Sequence, residues 1–348
     1  MAAGRQFEVK RKNRPTSSDV ARLAQVSQSA VSRTFTPGAS VSEKTRKKVL
    51  EAARTLGYRP NALARSLIKR DSKVIGVVLA YLDNAFYPGV LELLSRQLQC
   101  EGYHVMLFLA DPGDVDNVLQ QILQYQVAGI LLASTTLSSD LAMECEAIGI
   151  PVVLFNRTVP GNPANTVTSD NHHGGRQVGE YLASTGHRRI AFIAGSPDAS
   201  TSRERQAGFI EALSERGQDC FAYAEGNYLF EGAAQAAREL FTVPDGERPD
   251  AVFVANDHMA LAVMDVLRFE LGLKVPEAVS VVGYDNVIQA AWPTYDLTTV
   301  EQPARPMVAA AVEILLGQVN SQRVQRSNIV IPGDLIVRGS SCPRPTDR

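Results

Sequence analysis

From Val74 to Gly283 the chain repeats one texture: short runs of β-branched and other apolar residues alternate with stretches whose apolar residues recur at helical spacing. Parallel strands need a long return path, so this alternation is the pattern of a parallel sheet with crossover helices. Strands are expected at Val74 to Leu79, His104 to Leu109, Gly129 to Ala133 and Pro151 to Phe155. A second series follows at Arg189 to Ala194, Phe221 to Ala224, Ala251 to Ala255 and Val279 to Gly283. Helices fill the intervals, among them Tyr87 to Cys100, His172 to Thr185, Ser202 to Arg216 and Asp257 to Leu271. Two such sets in succession imply two doubly wound lobes, and ligands of such folds bind outside the carboxyl ends of the strands, here in a cleft between lobes.

The chain before Val74 reads differently. Residues 16 to 58 carry apolar positions at helical spacing (Val20, Leu23, Ala24; Val31; Val49, Ala52, Ala53, Leu56), enough for three short helices. Thr16, Ser27 and Ser42 are placed to cap their starts, and Gly57 to close the third. Charge divides at the same place: up to Arg70 there are 16 Lys plus Arg against 4 Asp plus Glu, and beyond it 19 against 33. A basic head on an acidic body points to a polyanion partner for the head alone, because phosphate binding is driven by cations that displace counterions.

Other classes find little support. Cys100, Cys145, Cys220 and Cys342 have neither C-x-x-C spacing nor His partners, as expected of thiols in a reducing compartment. The basic, polar first fifteen residues lack an apolar core, and no apolar run approaches a bilayer's thickness, so a cytoplasmic protein without membrane association is expected. His172 and His173 point in different directions on a helix, and Asp111, Asp114 and Asp116 lack the glycine and glutamate of a calcium loop; no metal or cofactor is expected. Dinucleotide, nucleophile-elbow and P-loop signatures are absent, so nothing argues for catalysis.

The segment from Thr16 to Phe35 has the spacing of a helix-turn-helix: Ala21 lets two helices approach, Val26 seals the turn, and the second helix opens with short polar residues. At these residues the chain resembles the lactose-repressor (LacI/GalR) family of transcriptional regulators. The resemblance continues through Val41-Ser-Glu-Lys-Thr-Arg46, Leu56-Gly-Tyr-Arg-Pro-Asn61 and Ala64-Arg-Ser-Leu67, and in the body through Val281-Val-Gly-Tyr-Asp285 and Leu297-Thr-Thr-Val-Glu-Gln-Pro303. It implies an all-α DNA-binding head plus an α/β two-lobed, periplasmic-binding-protein-like body of two doubly wound parallel sheets. It further implies that Gln28 and Ser29 open the recognition helix with Arg33 one turn on, while Thr16, Ser27 and Ser32 hold phosphates. One departure is Gln25, at a turn where the family often has Gly; a left-handed conformation there costs on the order of 1 kcal/mol.

The same resemblance makes Asn61 to Leu67 a hinge helix that pairs with its copy in the minor groove, Asn61 starting it, Ala64 permitting close approach and Leu67 wedging between base pairs. In the body, side chains just after strands are the cleft candidates: Phe86, Tyr87, Asn156, Arg157, Asp170, Arg205 (in Arg205-Gln-Ala-Gly208), Tyr228, Asn256 and Asp285. Aromatics that stack on a pyranose or base face, with Arg, Asn and Asp for hydroxyls, suit a sugar, sugar acid, sugar phosphate or nucleobase, of which the resemblance favours a carbohydrate-like compound, though each residue could instead cap a helix or pack the lobes. The expected partners are pseudo-palindromic double-stranded operator DNA, a small carbohydrate-like effector and a second copy of the chain.

The expected division is a basic extension (1–15), a helix-turn-helix domain (16–59), a hinge helix and linker (60–72), a two-lobed region (73–340) and a tail (341–348). The first lobe comprises about 73–170 plus a 303–332 crossover, the second about 171–302 plus a C-terminal strand. The tail has no heptad run, so no tetramerising coiled coil is expected. The rivals are a solute-binding receptor, which would lack the basic head, and a sugar-processing α/β enzyme, which would need a nucleophile or cofactor loop.

Overall fold

The computed structural model describes residues 15–36, 38–60, 72–80, 82–111, 114–133, 138–321 and 326–344. The chain divides after Ser72 into two compact units. The expected hinge residues Asn61, Ala64 and Leu67 lie outside the described residues.

The head consists of α1 (Ser17–Ala24), α2 (Gln28–Thr34) and α3 (Glu43–Leu56). Its core is Val20, Ala21, Ala24, Val31, Val49, Ala52 and Ala53, with Phe35 and Tyr58 packed at its edge. The alanines keep the helices close, and the valines supply most of the burial, each worth about 1.5–3 kcal/mol relative to exposure. Each helix starts on a side chain: Thr16 Oγ1 accepts from the Asp19 amide while Asp19 accepts from the Thr16 amide, and Ser27 and Ser42 accept from the amides of Ala30 and Thr45. Gly57 ends α3 in the left-handed region at φ 67°. Gln25 ends α1 in the same region, at φ 55° and ψ 48°.

In the body's first lobe the strands are β1 (Val74–Leu79), β2 (His104–Leu109), β3 (Gly129–Ala133), β4 (Val152–Phe155), β5 (Asn165–Ser169) and, from the far end of the chain, β11 (Asn328–Ile331). They pair in parallel in the order β2-β1-β3-β4-β5-β11. Burial alternates along β1: Ile75, Val77 and Leu79 face α4 (Phe86–Cys100) and α11 (Ala304–Ser321), while Val78 faces α5 (Val115–Leu123) and α6 (Ser139–Ala147). A sheet covered on both faces must be apolar on both, which is why β1 reads as a continuous apolar run.

The second lobe repeats the design with β6 (Ile190–Ala194), β7 (Ala222–Glu225), β8 (Ala251–Val254), β9 (Ser280–Asp285), β10 (Thr298–Glu301) and β12 (Leu335–Ile336). Their order is β7-β6-β8-β9-β10-β12, parallel except for β12, which runs antiparallel to β10. Its helices are α7 (Asn171–Ser184), α8 (Ser200–Ser214), α9 (Phe230–Phe241) and α10 (Asp257–Asp265), the last continuing as a π-helical turn, Val266–Glu270. The chain crosses between lobes after β5, after β10 and between β11 and β12. Two of the strands at these crossings, β5 and β10, were not among the expected ones: Asn-Thr-Val-Thr-Ser and Thr-Thr-Val-Glu are too polar to read as core strands. They are buried nonetheless, because Asn165 and Thr298 find hydrogen-bond partners on neighbouring chain segments. Residues 341–344 pack on the second lobe, with Arg344 donating to the carbonyls of Asp250, Glu277 and Ala278.

Candidate functional site

On the head, α2 presents Gln28, Ser29, Ser32 and Arg33 to solvent along one side. Gln28 Nε2 donates to Ser17 Oγ at 2.9 Å, and Ser29 Oγ lies 2.8 Å from Ser27 Oγ. Thr16 and Ser27 spend their side-chain oxygens on capping, which holds them at the helix starts where backbone N–H groups also point outward. Arg46 of α3 donates to the Thr34 carbonyl at 3.1 Å, closing the end of α2, while Lys44, Lys47 and Lys48 stay exposed. The head thus exposes the polar residues of α2 and several lysines of α3 around a small apolar core.

In the body, the carboxyl ends of both sheets converge on a cleft lined by Asn84, Tyr87, Asn156 and Arg157 of the first lobe, by Thr201, Arg205, Tyr228, Asn256 and Asp285 of the second, and by Gln302 at the crossover after β10. This is the place where strand order reverses in each sheet, β1 against β3 and β6 against β8. The cavity is small, about 10 Å³, the room of a single water.

Arg205 dominates the site. Its guanidinium stacks on the Tyr284 ring at 3.6 Å, donates from Nη1 to the Ala255 carbonyl at 2.6 Å and from Nε to Asn171 Oδ1 at 2.9 Å, and lies 3.5 Å from Asp285 Oδ1. Burial works against its charge, but Tyr228, Asp285 and Tyr284 more than offset this and its pKa lies above the ordinary arginine value. Burial raises the Asp285 carboxyl, with Arg205 pulling the other way, and pushes the Tyr284 hydroxyl up to about 12. Beneath them Asp257 accepts from Thr299 Oγ1 at 2.6 Å and from the Val287 amide at 2.9 Å; burial, then the Asp285 charge, raise its carboxyl to about 7.

Glycines make room for these side chains. A Cβ on Gly174 would stand 2.5 Å from the Tyr284 hydroxyl, one on Gly195 2.2 Å from the Tyr228 ring, and one on Gly175 2.1 Å from the Arg205 carbonyl. Asn156, Tyr228 and Asp285 have φ of 68°, 61° and 126°, a strained set of non-glycine residues at one locus. Across the cleft, Asn84 Nδ2 donates to Asp285 Oδ2 at 3.2 Å; within the first lobe, Asn156 Nδ2 donates to the Tyr87 hydroxyl at 3.1 Å, leaving the buried Asn156 Oδ1 without a hydrogen-bond partner.

Of the cleft candidates in the sequence, the structure brings together Tyr87, Asn156, Arg157, Arg205, Tyr228, Asn256 and Asp285. Asn256 also caps α10, accepting from the Met259 amide at 3.0 Å. Two candidates sit elsewhere. Phe86 packs edge-on against Tyr87, with ring centroids 5.3 Å apart, in the core under β1. Asp170 turns its carboxylate back to cap α7 through the His173 amide. Sequence reading missed Asn84, Thr201 and Gln302. Asn84 lies two residues before Phe86 and was within reach of the rule that favours positions after strands; Thr201 inside α8 and Gln302 on a polar crossover carried no such signal. Among the described residues no group of three or more His, Cys, Asp or Glu is placed to hold a metal ion, and no helix is long and apolar enough to cross a membrane.

Comparison with known proteins places these parts together. A family model described as bacterial regulatory proteins, lacI family, matches residues 16–61, and one described as a periplasmic binding protein-like domain matches residues 180–341. The HTH-type transcriptional regulator CelR of Thermobifida fusca is 34% identical over 343 residues, covering 95% of this chain and 100% of that one. The HTH-type transcriptional repressor PurR of Photobacterium profundum is 31% identical over 331 residues, covering 93% and 98%. Among solved structures, the lac repressor dimer bound to operator and the anti-inducer ONPF superposes with a TM-score of 0.83 at 29% identity over 95% of this chain and 100% of that one. The CelR–cellobiose complex does so with a TM-score of 0.70 at 34% identity over 94% and 100%. These relatives are transcription regulators rather than enzymes, and the chain belongs to the LacI family of bacterial regulatory proteins.

Proposed function

We propose that this regulator is a cytoplasmic repressor without enzymatic activity, whose operator affinity is set by a carbohydrate-like ligand held in the cleft. Gln28, Ser29 and Arg33 read base edges, Thr16, Ser27 and Ser32 fix the backbone, and Asn61, Ala64 and Leu67 form the hinge contact of a dimer on a pseudo-palindromic site. Arg205, Asp285, Asn256 and Arg157 bind hydroxyls while Tyr87 and Tyr228 supply ring faces. The relative solved with cellobiose favours a sugar.

The observation that carries this reading is the cleft's donor and acceptor set: one buried Arg–Asp pair, aromatic hydroxyls and the unpartnered Asn156 Oδ1 at the shared carboxyl ends of two sheets. An orphaned buried acceptor costs about 1–3 kcal/mol, which a ligand hydroxyl recovers. A thermal-shift panel of mono- and disaccharides, cellobiose included, tests it. At least one sugar is expected to raise the melting temperature of the full chain, and Arg205→Lys, which loses the planar fork, is expected to abolish that rise. A sugar response undiminished in Arg205→Lys and Asp285→Asn contradicts the assignment. Leu67→Ser is expected to weaken operator binding while leaving the sugar response intact; equal operator affinity in the two proteins contradicts the hinge role.

A further inference from the structure

Arg205 and Asp285 are wired into the crossovers by a closed ring of side chains. Arg205 Nε donates to Asn171 Oδ1 at 2.9 Å; Ser169 Oγ stands 3.2 Å from both Asn171 Oδ1 and Gln302 Oε1; Gln302 Nε2 donates to Asp285 Oδ1, and Asp285 Oδ1 faces Arg205 Nη1. All five side chains are buried, none more than 5% exposed. Ser169 and Asn171 flank the crossover after β5, and Gln302 lies on the crossover after β10, where its amide also donates to the Asp285 carbonyl. The third crossover is attached to the other two, because the Asp170 amide donates to the Ile331 carbonyl and the Glu301 amide to the Asp334 carbonyl, each at 2.9 Å.

Besides its contact with the Tyr284 hydroxyl, Ser169 has one hydroxyl proton and two amide oxygens of the ring within reach, so the ring has two internal arrangements that differ in which crossover the proton serves. A ligand hydroxyl that takes over Asp285 or Arg205 removes one bond of the ring and changes which arrangement is satisfied. Buried polar networks are cooperative and penalise a missing partner, which gives such a change a route beyond the cleft.

We propose that Ser169 and Gln302 are positioning residues that carry the state of the Arg205–Asp285 pair to the crossovers, making cleft occupancy and lobe movement one event. This rests on the reading of the cleft as the effector site, but its test needs neither DNA nor sugar. Hydrogen exchange of the Asp170 amide is followed in the full-length chain, with the amides of β8 as the control for global unfolding. Asp170 is also tied to the residue before Asp285, since the Tyr284 hydroxyl donates to the Asp170 carbonyl at 3.4 Å, so the measurement is made in Tyr284→Phe as well, where that direct route is cut.

Asp285→Ala is expected to speed exchange at Asp170 about fivefold, the factor that corresponds to one net hydrogen bond, and to have no further effect when Ser169→Ala is already present. Asp285→Asn keeps an acceptor for Gln302 and is expected to restore most of the protection. Where β8 also loses protection, Gln302→Met replaces Asp285→Ala in the same cycle with the same expectation. No change at Asp170, or the same change with and without Ser169→Ala, overturns the proposal. Either result leaves the DNA and sugar experiments to stand or fall separately.

Discussion

Gln25 shows what one residue reveals and hides. Its place in the helix-turn-helix spacing marks it as a turn, and the turn is left-handed, at φ 55°. Gln25→Gly removes the steric cost of that conformation, and the head is expected to gain about 1 kcal/mol, less the entropy that glycine adds to the unfolded chain. Thermal denaturation of residues followed by head-specific probes checks the sign; a loss of stability contradicts it. Asp257 was invisible as a functional group in the sequence, being one acidic residue after a strand among several. Its carboxyl, raised to about 7 by burial and the Asp285 charge, holds in the folded state a proton that the unfolded chain releases near 3.8. That contribution is complete below the unfolded value and lost as pH rises through about 7, the two carboxyls titrating as a pair. Asp257→Asn is therefore expected to lose less stability than the parent chain between pH 4 and 8, read from urea midpoints; parallel curves contradict it. Asn156, Tyr228 and Asp285 likewise owe their reach into the cleft to left-handed backbone that no residue type announces.

At the scale of elements, apolar strands and capped helices were legible because local chemistry determines them. The ends of β1, β2 and β3 coincide with the expected runs, and Thr16, Ser27, Ser42 and Gly57 cap as their residue types dictate. The polar strands β5 and β10 were not, since their burial depends on partners distant in sequence. The pairing of α7 with α8 is of the same kind. A Cβ on Gly208 would stand 2.0 Å from the His172 carbonyl, and one on Gly175 2.1 Å from that of Arg205. The Arg-x-x-Gly spacing therefore serves the site twice: Gly208 lets α8 close on α7, and Arg205, one turn earlier, is carried into the cleft. Gly208→Ala is expected to destabilise the body by about 1–3 kcal/mol through overpacking and to weaken any sugar response in parallel. A denaturation midpoint equal to that of the parent chain contradicts the packing account.

For the whole molecule, the division of charge at Arg70 and the division into compact units after Ser72 fall at nearly the same place. The two series of strands read in the sequence form the β2-β1-β3-β4 and β7-β6-β8-β9 parts of the two sheets, while β5 and β10 at the crossings were not read there as strands. Linkage requires that whatever a cleft ligand does to DNA affinity, DNA does to ligand affinity by the same factor. Fluorescence anisotropy of the full chain with a labelled promoter fragment and with random duplex, at graded salt and with each sugar of the panel present or absent, measures this directly. The account predicts a preference for one promoter fragment of about 10³ or more, a steep salt dependence, and a change of roughly 5- to 150-fold on adding the ligand. Equal affinity for promoter and random duplex under every condition contradicts it.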